Sequence, residues 1–492
     1  MSIDLKVLGW WPVVLLSLTG LVAEVPDLRL VDAAKEGDRE ALHRLVEEGV
    51  DVNLAPVDGE TALHWAAHRD DLEPAQLLIG AGAEVNAANA YGVTSLSLAC
   101  TNRNAEMVQM LLKAGADPNS TRWTGETVLM TCAHTGNLTS VKALLNQGAD
   151  PNARETRWEQ TALMWALAGG HPAVAGALVE HGADIRARSS QGFTALMFAA
   201  QQGDADSVRM LLAAGANLNH STPEHGNVLT VASGSGHEAL ALFLLEKGAD
   251  PNSPNGRGVT PLHFAVPEGL STFDGLKYDD FYRVLPPNMP ELAKALLAHE
   301  ADPNAQIQRA KPLGPDAPAK EHGMAMQTPL FLAALAGDVE MIRLLAAHGA
   351  DPQLSADRGV TPLIAAAGAS RYRWAGTLDR TLGNALETVK VLVELGVDVN
   401  QPSSQGQTAM HSAAFTGQDE IIQFLADQGA EVDLVDNSGQ TPWTMAQGLA
   451  PGVATQGRYG VFKSTSELLE KLGATPREVE KVRRSDPVAI RR

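Results

Sequence analysis

The sequence predicts an all-α solenoid of about twelve helix-turn-helix repeats joined by β-hairpin loops. Three observations predict it. The tripeptide T-[AP]-L recurs with a 33-residue period. A second string, G-x-D/E-x-N, recurs in phase with it. Between them lies V-x-x-L-L, which puts apolar residues on one helical face at i, i+3 and i+4. A single such unit cannot bury its apolar stripe alone, whereas stacked neighbours can.

The Thr of this string, or the equivalent residue, falls at Thr61, Thr94, Thr127, Thr161, Thr194, Asn227, Thr260, Thr328, Thr361, Thr408 and Thr441. The spacings are 33, 33, 34, 33, 33, 33, 68, 33, 47 and 33. The second string ends at Asn53, Asn86, Asn119, Asn152, Asn252 and Asn400. Each element of the unit follows from its residues. Thr is an N-cap, and Pro261, Pro329, Pro362 and Pro442 occupy the first turn, where no N–H is needed. A Gly such as Gly136, Gly203 or Gly337 turns the chain. The second helix carries Val108/Leu111/Leu112, Val141/Leu144/Leu145 or Val208/Leu211/Leu212. It ends at Gly115, Gly148, Gly182, Gly215 or Gly248, as a left-handed C-cap requires. The residues from D-P-N to the next Thr are turn formers. The residues four after each Thr (Trp65, Leu98, Thr131, Trp165, Phe198, Val231, Phe264, Leu332) sit at helical spacing and read as core.

With T-P-L-H complete at Thr260–His263, and with G-A-D-x-N, the 33-residue unit resembles the ankyrin repeat. The resemblance covers residues 28–474. It implies recognition of another protein through the hairpin tips and the concave face of the first helices. The first unit, LRLVDAAKEGDREALHRLVEEGVDVN, lacks T-x-L and reads as an N-terminal cap. The last ends in STSELLEKLGA, where Ser464 and Glu467 form a capping-box pattern.

Three insertions interrupt the period, near 267–290, 305–326 and 369–385. Their repeats are adjacent, so they are expected to meet in space. They carry Phe273, Tyr278, Tyr282, Tyr372 and Trp374, an alternative binding region. The second insertion is Pro/Gly-rich, a composition expected of a mobile segment. At Glu300 an acid stands where sister repeats end a helix with Gly. The tail, 475–492, is basic and expected to fray.

Residues 8–23, LGWWPVVLLSLTGLVA, form an uncharged apolar run behind Lys6. Sixteen residues are short for a spanning helix, which needs about 20. The run fits a signal peptide, residues 1–23, with Ala23 at the cleavage site. An uncleaved anchor, with Trp10 and Trp11 at the interface, and a buried helix of the first repeat are the other readings. The expectation is an exported protein, periplasmic or extracellular, resembling multi-repeat ankyrin proteins that bacteria export.

Composition narrows the function. The 492 residues carry 58 acids and 38 bases, a net charge of −20, which argues against a nucleic-acid partner. Two cysteines exclude a disulfide framework. Cys100 and Cys132 occupy positions that hold Ala in sister repeats and read as buried thiols, a disulfide being the alternative. No P-loop, GxGxxG, GxSxG or HExxH occurs, so no catalytic residue, metal or cofactor is expected. His64 and His68 have a zinc-compatible i, i+4 spacing, but His64 holds the T-P-L-H position shared with His263 and His411 and reads as architectural. His181, His299 and His348 end second helices.

The expected function is a non-enzymatic, monomeric protein–protein interaction scaffold. An effector or immunity-type regulator and an enzyme built from the insertions are the alternatives. The candidate partner-binding residues are Tyr91, Arg122, Trp123, Arg154, Arg157, Trp158 and Phe193, with Arg186 and Arg188 nearby. Aromatics and Arg are the types enriched at binding hot spots.

Overall fold

The computed structural model describes residues 27–266, 289–308, 326–368, 384–448 and 461–477. The apolar run at 8–23, most of each insertion and most of the tail lie outside the described residues. Among those described, 24 α-helices form twelve pairs in chain order. They fall in two compact units that divide between Trp123 and Thr124. The first unit holds three pairs, from Arg29–Glu36 with Arg39–Glu47 to Ser95–Thr101 with Ala105–Lys113. The second holds nine, from Val128–Thr135 with Leu138–Asn146 to Pro442–Ala446 with Lys463–Lys471. Within each unit, helices pack on their pair mate and on the corresponding helices of the adjacent repeat. The expected seam is the core: Val108, Leu111, Val141, Leu144, Val208 and Leu211 are all inaccessible to solvent.

Most first helices start where a threonine hydroxyl takes up a free N–H; Asn227 does so with its amide oxygen, and Leu28 caps the first helix with no side-chain bond. Thr94 accepts from Ser97 N at 3.2 Å and Thr127 from Met130 N at 3.2 Å. At the T-x-L-H repeats the imidazole shares the task. Nδ1 of His64, His263 and His411 accepts the backbone N–H of Thr61, Thr260 and Thr408 at 3.1–3.2 Å. An Nδ1 that accepts leaves the proton on Nε2. Nε2 then donates to the carbonyl of Val93, Gln327 or Gln440 in the next hairpin, at 2.9–3.3 Å. The histidine thus ties the cap of one repeat to the loop of the following one. Burial pushes the His64 pKa down, and that of His263 down to about 4.

The second string has a job beyond turning the chain. The Asn152 amide donates to Gly182 O at 3.0 Å and accepts from Asp184 N at 2.7 Å. Asn53, Asn86, Asn219, Asn252, Asn304 and Asn400 make the same donation to the end of the next repeat. These bonds occupy the carbonyl of the left-handed residue that follows each second helix.

Glycine is needed where the backbone turns left-handed. Gly203 has φ +72°, and a Cβ there would lie 2.6 Å from the His237 ring. Glu300 adopts φ +64° at a site where sister repeats use Gly. The terminal histidines fold back on their helices, with Nδ1 of His181, His299 and His348 2.7–2.9 Å from the carbonyl four residues earlier.

Two expectations change. The β-hairpin loops contain only isolated bridges among the described residues, such as Ala88 with Thr94 and Arg188 with Thr194. Tight turns and side-chain bonds hold them, so no ladder extends. Cys100 and Cys132 are not free thiols: both are buried and disulfide-bonded.

Candidate partner-binding surface

Short polar side chains build the hairpin tips. Asn89 Oδ1 accepts Tyr91 N at 2.9 Å and Val93 N at 3.0 Å. Asp436 Oδ1 does the same for Ser438 N and Gln440 N, at 2.8 and 2.9 Å. Successive tips are then stitched by backbone bonds. In the first unit Ala90 N donates to Asp58 O at 2.8 Å and Trp123 N to Tyr91 O at 3.2 Å. In the second, Thr156 N donates to Thr124 O at 3.0 Å and Ser190 N to Trp158 O at 2.7 Å. A row of such bonds presents the tip side chains from a fixed backbone.

In the first unit, Tyr91 is 63% and Trp123 76% exposed. Arg122, beside Trp123, is half-buried. Val57, on the preceding tip, is fully exposed. Sequence reading missed Val57, although it lies four residues before Thr61, as Trp123 does before Thr127.

In the second unit the fifth repeat carries one extra hairpin residue, which is the 34 in the spacing. Glu155 turns this longer loop. Its buried carboxylate accepts Arg157 N at 2.7 Å, Trp158 N at 2.7 Å and Gln160 N at 3.0 Å. Glu159 takes up the extra length at φ +53°. Trp158 is left 41% exposed, with the Arg157 guanidinium 5.0 Å from its ring centre. That is cation–π range. Arg154 is exposed but engaged within the chain: it pairs with Glu159 at 2.9 Å and donates to Arg188 O.

Phe193, expected on the binding surface, is buried. It is 3% exposed and packs edge-on against Phe198 at 5.1 Å and His225 at 4.9 Å. One residue before the Thr cap the chain points inward, as buried Val259 does at the same position. Phe193 therefore belongs to the core of its hairpin and is not on the binding surface. The alternative candidates Phe273, Tyr278, Tyr282, Tyr372 and Trp374 lie outside the described residues. Among the described residues no cluster of three His, Cys, Asp or Glu side chains is placed to hold a metal. None of the described helices is long and apolar enough to cross a membrane.

Comparison with known proteins agrees with this architecture. The family model described as ankyrin repeats (3 copies) matches residues 30–122, 129–222, 196–278, 284–376 and 381–449. The B-cell lymphoma 3 protein homolog of Mus musculus is 33% identical over 122 residues, 25% of each chain. A putative palmitoyltransferase of Danio rerio, ZDHHC13, is 35% identical over 86 residues, 17% of this chain and 13% of its own. The human ankyrin repeat and KH domain-containing protein 1 is 32% identical over 117 residues, 23% of this chain and 4% of its own. The chain thus spans a quarter or less of the length of these relatives. On its repeats, its caps and the family match, the chain belongs to the ankyrin-repeat family.

Proposed function

We propose that this ankyrin-repeat chain is a non-enzymatic scaffold that captures a partner protein on its hairpin tips. The observation that carries the reading is the exposure of large aromatics on stitched turns: Tyr91, Trp123 and Trp158. An aromatic held on a fixed backbone loses little conformational entropy on binding and contributes a large apolar area. Arg157, stacked on Trp158, adds a charged donor fork to one of these anchors. The net charge of −20 supports a protein partner rather than a nucleic acid.

The same reading extends to location. A disulfide-bonded state for both cysteines supports passage through an oxidising compartment. Together with the apolar run at 8–23, it favours an exported protein, periplasmic or extracellular. The chain acts there as a monomer.

The test is affinity capture from the native envelope with the wild-type chain and a Tyr91→Ala, Trp123→Ala, Arg157→Ala, Trp158→Ala variant. A partner retained by the wild type and lost by the variant is expected. Equal recovery by both removes the tips from the account.

A further inference from the structure

The second unit holds a cavity of about 270 Å³ between the hairpins that flank the sixth repeat. Its walls include Arg186 and Arg188 from the first hairpin, Asn217 and His220 from the second, and the apolar Ile185 and Leu196. The size is below the roughly 300–1,000 Å³ of sites that enclose a drug-sized ligand. It suits one or two side chains.

The electrostatics of this cavity run against those of the chain. Acids exceed bases by 20. Three other arginines of the second unit are neutralised locally: Arg154 by Glu159, Arg209 by Asp206 and Arg343 by Glu394. Arg186 and Arg188 are not. Among the described residues neither guanidinium has a hydrogen bond or ion pair, and both side chains are exposed. Asp184 is close in sequence, but its Oδ1 accepts the backbone N–H of Arg186 at 2.9 Å and it forms no ion pair with either guanidinium. His220 is fixed by an Nε2 bond to Gly192 O at 3.0 Å. Asn217 uses Oδ1 to accept Asn219 N, which leaves its amide NH₂ as a donor. Two forks, one amide donor and an apolar wall complement a carboxylate on a short aliphatic stem.

We propose that this cavity receives an acidic side chain, glutamate or aspartate, of an extended segment of the partner protein. The cavity adjoins the tip surface. Ser190 N is bonded to Trp158 O, and Arg154 to Arg188 O, so the loop 186–190 and the tip 154–159 are tied together. A segment anchored at Trp158 has a carboxylate pocket one hairpin away. The assignment rests on the reading of the tips as the partner surface and names the chemistry of that partner.

The experiment is fluorescence anisotropy of the full chain with a labelled, terminally blocked hexaglutamate peptide, with hexaglutamine as control. Hexaglutamate is expected to bind, and to bind more weakly as salt rises from 50 to 300 mM. The R186Q/R188Q double variant is expected to lose about tenfold or more in affinity, because charge-assisted forks to a carboxylate are removed. Both substitutions are on exposed side chains, so the melting temperature should hold. R188E alone should abolish binding. Equal binding of hexaglutamate and hexaglutamine overturns the proposal, as does an R186Q/R188Q variant that binds like wild type. Displacement by inorganic phosphate at concentrations well below those of acetate also overturns it, since the site would then select phosphate. Loss of peptide binding in R186Q/R188Q with retention in Trp158→Ala supports the pocket, while failure of the tip reading shows separately, as equal recovery of the partner by the wild type and the tip variant. The reverse pattern keeps the tip and removes the pocket.

Discussion

The carboxylate of Glu155 accepts the backbone N–H of Trp158 at 2.7 Å, so a buried acid fixes the backbone beneath an exposed aromatic. The same carboxylate takes two further backbone N–H groups. Five residues before the cap, sister repeats use Asn89, Ser189 or Asp436 for this purpose. The fifth repeat, one residue longer, uses an acid with one more methylene.

Glu155→Ala should therefore cost about 2–3 kcal/mol, since hydrogen bonds to a charged group are lost and buried N–H donors are left without acceptors. Glu155→Gln, which keeps one acceptor oxygen, should cost less. Amide exchange would locate the loss at residues 155–160. Faster exchange spread evenly across the second unit would mean the acid supports the stack rather than the turn.

Glu300→Gly should stabilise the protein by about 1 kcal/mol. Its backbone sits at φ +64°, a region where a side chain is strained and glycine is not. The Glu300 carbonyl that accepts from Asn252 remains in place. Denaturant unfolding gives the comparison. An unchanged or lower midpoint would show that the glutamate side chain earns its place.

The pH dependence follows from His263, whose folded pKa is pushed down to about 4 by burial, against about 6.5 unfolded. Between those values the unfolded chain binds the extra proton. The stability contributed by neutral His263 is complete above about pH 6.5 and is lost as pH falls towards 4. The full loss is about 3 kcal/mol. Urea unfolding from pH 7 to 4 should show it, with a shallower fall for His263→Gln. Parallel curves for the two proteins would contradict this.

Export predicts that native protein carries a new N-terminus near Glu24 and that in denaturant, where both buried cysteines are accessible, Cys100 and Cys132 resist maleimide until reduced. Intact-mass measurement before and after reduction reads both. Met1 retained with two reactive thiols would place the chain in a reducing compartment.

Much of the fold was legible because each repeat states the same physics. A hydroxyl caps, V-x-x-L-L packs, and a glycine turns left-handed. The Asn of D-P-N was visible as a repeated residue, but its bonds reach the next repeat, and spacing alone does not reveal a partner about 30 residues away. The site was less legible. Tyr91, Trp123 and Trp158 are exposed as the hairpin position implied. Phe193 is buried because one step along a turn reverses a side chain's direction. Glu155 was overlooked because its neighbours do the same work with different side chains. Val57 was passed over because valine is not a hot-spot residue type.

The exposed tip aromatics are expected to carry partner affinity without carrying the fold. Calorimetric titration of the captured partner into wild type, Trp123→Ala and Trp158→Ala, with a thermal melt of each, tests it directly. Each variant should lose about 2 kcal/mol or more in binding, roughly thirtyfold in Kd, with a melting temperature close to wild type. Unchanged affinity, or weakened binding that tracks a large drop in melting temperature, would contradict it.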